Sequence, residues 1–241
     1  MIDWLKHDPA SSPSIDIGGR RLPIAIRRLA HARRMTLRLA PDGSEARISI
    51  PRWGRTQDAV DFAASRAEWL AGQLAAIPER KEIGNGSVLP YRGTQLLIEH
   101  AHDAPRRPSL GTGCVRIGGP AESMEKRLKR WLETEARTIL PLDLSDYCGR
   151  AGKASPALAL SNAQRRWGSC GPDGTIRINW RLIMAPDFVR RSVVAHEVAH
   201  LVHFDHSPRF HALLSDIFEG SVAEANSWLR RHGRTLYAPF G

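Results

Sequence analysis

The chain has 241 residues, 42% of them hydrophobic and 25% charged. That is ample for a packed core without staples, and it excludes a wholly disordered chain. Thirty-five Lys and Arg against 25 Asp and Glu leave a net charge of +10, which attracts polyanions without naming one. The three cysteines, Cys114, Cys148 and Cys170, are too few and too scattered for a disulfide framework or an all-cysteine zinc site.

Residues 1–14 hold Pro9, Pro13 and two adjacent serines and read as a loose arm. They contain no apolar stretch of signal-peptide type, and no run of 18 apolar residues follows anywhere. The expected compartment is therefore the cytosol, with no membrane partner. Met35, Leu37 and Leu39 alternate with polar residues, and Ile48 and Ile50 do the same beyond Pro41-Asp42-Gly43, which predicts a β-hairpin. Ala59, Val60, Ala63, Ala67, Leu70 and Leu74 recur at helical spacing from Thr56 to Pro78. Residues 80–87 form a polar link, residues 88–100 are strand-rich, and Cys114–Ile117 is one more short strand.

Glu122–Leu140 reads as an amphipathic helix ended by Pro141, with a separate helix over Asp143–Ala151. A second hairpin follows: residues 165–170 and 175–180 flank Gly171-Pro172-Asp173-Gly174, with Ile176, Ile178 and Trp180 on one face. Pro186 starts a helix running to about His203, Ser207-Pro208 starts another to about Phe218, and a last one covers Val222–His232. Composition shifts near residue 120. The expected organisation is a strand-rich basic region over 1–120 and a largely helical region over 121–241.

His196-Glu197-Val198-Ala199-His200 carries the chemistry. Histidines at i and i+4 share one helix face, so both imidazoles can bind one metal, with zinc the default for nitrogen ligands. Glu197 beside them can accept a proton from an attacking water. A chance HExxH is expected in roughly one such sequence in fifty. Here it lies among Val193, Val194, Val198, Leu201 and Val202, where two unpartnered histidines and a glutamate would be costly. A catalytic site needs a third ligand, and His203, His206 and His211 are the candidates. His203 projects one turn too far along. His206 falls in the turn before Ser207, from where a side chain can fold back, and is preferred to His211.

Further motifs surround this helix: Trp167-Gly168-Ser169-Cys170, then Gly174 to Leu182, Pro186, and His206-Ser207-Pro208-Arg209-Phe210. Near the start stand Arg34-Met35-Thr36-Leu37-Arg38 and Ile48-Ser49-Ile50-Pro51-Arg52-Trp53. In order and spacing these resemble the YgjP-like metallopeptidases, relatives of the SprT-like and WLM zinc peptidases. The resemblance implies an α+β fold with a minimal gluzincin (zincin-like) core, one Zn2+ per chain, and a peptide or protein substrate. It implies a third ligand six residues after the second histidine, which is His206. His211 stands where the family usually has a bulky aromatic, so it remains an alternative ligand or a polar group beside the site.

Around the site, Arg166, Trp167, Gly168, Ser169 and His211 are candidate substrate-binding residues. The Trp167–Cys170 segment could receive an extended peptide at a sheet edge, with Gly168 allowing close backbone approach. Cys170 reads as a small buried filler, and a thiolate ligand would close the site. Tyr237, His211, Arg166 and His232 are candidate oxyanion stabilisers. Asp205 and Asp216 could orient a ligand.

Arg20–Arg55 holds ten basic and two acidic residues, +8 of the net charge. Arg34, Arg38 and Arg47 are expected on one outward sheet face, a candidate nucleic-acid or phosphate surface without aromatics for base stacking. Two other readings compete with a peptidase: a zinc hydrolase of a nucleotide phosphoanhydride, and a DNA-associated non-catalytic zinc protein.

Overall fold

The computed structural model describes residues 13–40, 43–75, 77, 82–164 and 166–240. Most of the expected N-terminal arm, the Pro41-Asp42 part of the first hairpin turn, part of the 80–87 link and Arg165 lie outside them. The fold is mixed α+β, and the chain divides into two compact units, Met1–Pro78 and Glu79–Gly241.

The first unit contains β1 (Ser14–Ile17), β2 (Arg20–Leu29), β3 (Thr36–Leu39), β4 (Ala46–Pro51), α1 (Thr56–Ala64) and α2 (Ala67–Ala75). The sheet order is β1-β2-β4-β3. The expected strand pair is present: β3 and β4 run antiparallel with Leu37 opposite Ile48. Alternation sends Leu22, Ile24, Ile48 and Ile50 to a core shared with Ala59, Ala63 and Leu70 of the helices. The single helix expected after Thr56 is two, because the chain turns at Ser65, whose hydroxyl donates to the Phe62 carbonyl at 2.8 Å.

The second unit begins with β5 (Val88–Tyr91), β6 (Thr94–His100), β7 (Ser109–Leu110) and β8 (Cys114–Ile117), in sheet order β5-β6-β8-β7. Then come α3 (Met124–Arg150), β9 (Leu158–Ser161), β10 (Gly168–Cys170) and β11 (Ile176–Asn179). A 3-10 turn over Trp180–Met184 leads to α4 (Asp187–Ala199), α5 (Pro208–Ile217) and α6 (Val222–His232).

The compact units therefore part at 78/79 rather than near 120. The reason is burial: Leu89, Ile98, Val115 and Ile117 share one core with α3, α4 and the 180–185 segment. Tyr91 stacks on Trp131 of α3 with centroids 5.2 Å apart, and its hydroxyl donates to Glu135 at 2.7 Å. Burial and that carboxylate push the Tyr91 phenol up to about 12.

Pro141 does not end a helix as expected but sits inside the 27-residue α3. Pro141 and Arg137 both face solvent, so the carbonyl that loses its i+4 donor is open to water. Leu140, Leu144, Tyr147 and Cys148 meanwhile continue one buried stripe.

The second hairpin forms as expected, with Gly168 opposite Ile178 and Cys170 opposite Ile176. Strand β11 also pairs in parallel with β9, so the order is β10-β11-β9 and β10 is an edge strand.

Candidate metal centre

Helix α4 opens with Pro186 at its N-cap and Asp187 in its first turn, and buries Val189, Val193, Val194, Ala195, Val198 and Ala199. That packing leaves His196 and His200 on one partly buried face. The helix stops at His200, three residues short of the sequence expectation. His200 Nδ1 lies 3.0 Å from the His203 carbonyl, which makes Nδ1–H the donor and leaves Nε2 as a lone-pair ligand atom. His203 thus serves through its backbone.

The chain then turns and re-enters a helix at Ser207-Pro208. This brings His206 Nε2 to 3.2 Å from His196 Nε2, the same distance that separates His196 Nε2 from His200 Nε2. The ligand atoms of His196, His200 and His206 all lie within 4.8 Å of one another, the one such cluster among the described residues. Burial first, then the neighbouring imidazoles, lowers the His196 pKa to about 4. It is a neutral, lone-pair donor at neutral pH.

The fully buried Phe210 ring lies beneath all three, with centroids 4.9 Å from His196, 4.6 Å from His200 and 4.8 Å from His206. Sequence reading assigned it no role. Its signal was an aromatic at the third position of a helix whose N-cap adjoins His206.

Glu197 is buried beside this cluster, 6% exposed. Burial pushes its carboxyl up to about 7, against a hydrogen bond from the Cys170 amide and the positive charge of Arg166. Gly168 of β10 packs directly on it: a Cβ there would stand 2.4 Å from Glu197 Oε1. The close approach foreseen at Gly168 is thus made by a glutamate side chain. Cys170 is partly buried and outside the imidazole cluster, and burial, with Glu197 beside it, raises its thiol pKa.

The other candidates divide. Arg166 is exposed, yet its charge is felt at Glu197. Trp167 is half-buried against Tyr237, with centroids 5.6 Å apart, and Ser169 opposes Arg177 in β11. His211 is exposed, its ring centroid 6.4 Å from that of His206, and it is not in the triad.

The Tyr237 hydroxyl donates to the Ala163 carbonyl at 3.0 Å and accepts from Asn179 at 3.2 Å, so it is engaged in holding the C-terminal segment. His232 lies against Trp228. Asp205 is held by Ser207, and Asp216 is exposed on α5.

Arg38 and Arg47 belong to the first unit. They stand opposite each other across β3 and β4, both exposed, and Arg47 pairs with Glu45 at 2.7 Å. Arg34 lies two residues before β3 rather than on the strand face.

An α+β chain whose HExxH helix gathers three imidazoles over a buried aromatic ring, with a glutamate alongside, has the form of a metal-dependent hydrolase domain. The YgjP-like metallopeptidase domain family matches residues 33–232, and the chain belongs to that family. Membership places it among metal-dependent peptidases. No curated protein and no solved structure matches it. None of the comparisons supports a nucleic-acid partner, and no described helix is long and apolar enough to cross a membrane.

Proposed function

We propose that this protein is a zinc peptidase of zincin-like architecture, in which His196, His200 and His206 hold the metal and Glu197 is the proton acceptor. The observation that carries this reading is the convergence of three Nε2 atoms. A tetrahedral ion with zinc–nitrogen bonds of about 2.0–2.1 Å needs ligand atoms about 3.3–3.4 Å apart. The two separations from His196, 3.2 Å each, come close to that spacing, and all three ligand atoms lie within 4.8 Å of one another. Three imidazole ligands suit zinc and would leave a fourth position for water or substrate.

Bound there, zinc would supply Lewis-acid polarisation of the scissile carbonyl and lower the pKa of the attacking water. Glu197 takes the water's proton on its carboxylate and returns it to the departing amine. A carboxylate seated beside the ligands is placed both to accept that proton and to give it back. The His203 carbonyl keeps His200 in the ligating tautomer. Phe210 fixes the three rings from below and excludes water on that side.

The substrate is a peptide or protein segment. Strand β10 offers it an edge: the Gly168 backbone groups point away from β11, available to an extended chain. Arg166 and His211 flank the site as polar contacts for substrate. Neither nucleotide hydrolysis nor a non-catalytic zinc role has comparable support, since a structural site has no use for a buried Glu197 beside its ligands.

The test is metal analysis with peptide-hydrolysis assays on wild type and Glu197→Gln, with a nucleotide panel alongside. The variant should keep one zinc per chain and lose turnover by about 100- to 10,000-fold. Undiminished peptide turnover in Glu197→Gln would overturn the assignment, and activity confined to nucleotides would replace the substrate class.

A further inference from the structure

Strand β10 runs beside α4, and the residue it sets against Glu197 is a glycine. A Cβ at Gly168 would fall 2.4 Å from Glu197 Oε1, 2.7 Å from Cγ and 2.8 Å from Cδ. No rotation of the terminal carboxylate alone relieves this, because Cγ is as crowded as the oxygens. Glu197 is buried, so few other rotamers are open to it. Gly168 is not among the residues with positive φ, so its backbone does not require glycine. Only the space does.

The hydrogen-bond alternation of the hairpin adds a second observation. Asn179 N–H donates to the Trp167 carbonyl at 2.8 Å, and Gly171 N–H donates to the Thr175 carbonyl at 2.9 Å. Residues 167, 169 and 171 therefore pair with β11, while Gly168 and Cys170 turn their amides outward. The outward Cys170 amide is the backbone group whose hydrogen bond lowers the Glu197 pKa against the effect of burial.

We propose that β10 is a positioning strand for Glu197, in which the absent Gly168 side chain makes the seat of the carboxylate and the Cys170 amide holds it there. Through its missing side chain Gly168 is a positioning residue acting on Glu197, while its outward backbone groups stay the substrate edge proposed above. The catalytic consequence rests on the peptidase reading above. The seat itself does not.

The test is a double-mutant cycle of Gly168→Ala and Glu197→Ala in the full chain, read first by thermal unfolding in the presence of a chelator. Gly168→Ala should lower the melting temperature by roughly 3–10 °C when Glu197 is present. It should cost almost nothing in the Glu197→Ala background, where no carboxylate remains to collide. If Gly168→Ala alone does not fold, the double variant should fold. The same loss in both backgrounds, or no loss in either, overturns the seat, as does failure of both proteins to fold.

Turnover is the second readout. In Gly168→Ala, kcat should fall about 100-fold with KM and zinc content unchanged. Combining it with Glu197→Asp, one methylene shorter, should cost less than the two single losses multiplied. A rise in KM with kcat unchanged, or a loss of zinc, would mean that the added Cβ disturbs the substrate edge or the metal ligands and not Glu197, and would overturn the positioning role. Absence of any wild-type hydrolysis would defeat the peptidase reading while leaving the unfolding cycle to judge the seat.

Discussion

Arg190 on α4 donates through Nε to the carboxylate of Asp143 on α3 at 2.7 Å, and the two side chains are only 2% and 5% exposed. Arg190 also meets Asp187. The adjoining Arg191 donates to Asp143 at 3.1 Å, Asp146 at 2.7 Å and Glu219 at 2.7 Å. The helix bearing His196 and Glu197 is thus fastened to the longest helix through a buried ion pair six residues before the first histidine.

Removing Asp143 leaves the Arg190 cation buried beside fewer carboxylates. Asp143→Ala should cost about 3–5 kcal/mol in denaturant unfolding. Arg150→Ala, which breaks ion pairs with side chains 37–46% exposed, should cost far less. Equal losses would mean that burial does not decide the strength of this network.

Acid should act on the same network through Glu219. Burial alone would raise its pKa, but the Arg191 hydrogen bond, its own backbone amide and the Tyr147 hydroxyl together lower it from 4.5 to about 2. A carboxylate depressed in the folded state adds stability that is complete above its unfolded pKa. That stability is lost as pH falls through about 2. Glu219→Gln should therefore flatten the decline in stability between about pH 4.5 and 2, as followed by urea midpoints. Since the side chain is 46% exposed, added salt should shrink the difference.

His206 and His211 separate cleanly by experiment. His206→Ala removes one of three converging nitrogens and should weaken zinc binding more than about 100-fold, beyond the 10- to 100-fold typical of outer partners. His211→Ala should leave zinc affinity within about tenfold, as expected of a group outside the ligand set. Competition with a chromogenic chelator measures both, and the reverse order would move the third ligand to His211.

Phe210 lies against all three imidazoles and so links folding to the proposed metal site. Phe210→Ala should destabilise the protein by about 3–5 kcal/mol, as expected for a fully buried aromatic. It should also lower zinc affinity, because three imidazoles lose their common floor. Phe210→Leu should recover most of the stability but only part of the affinity. Unchanged zinc affinity in both variants would show that the rings are held without it.

Much of this was legible in the chain, because local periodicity and short spacings encode it. The i, i+4 histidines, the return of His206 through a turn capped by Ser207-Pro208, the 222–232 helix and both strand pairs depend on neighbours within about a dozen residues. The misreadings arose where distant packing overrides local signals. Pro141 stays in α3 because its face meets water, and residues 88–117 join the second unit because their apolar side chains share its core.

The sequence by itself determined the pairing of His196 with His200 and the helix that presents them, since 3.6 residues per turn places the two together whatever surrounds them. Only the tertiary structure decided what holds those groups in place. The Phe210 floor, the Arg190–Asp143 fastening, the parallel pairing that leaves β10 at an edge and the packing of Glu197 on Gly168 all join residues distant in the chain. Such contacts leave no periodic trace, because they are selected by the shape and burial of the assembled core.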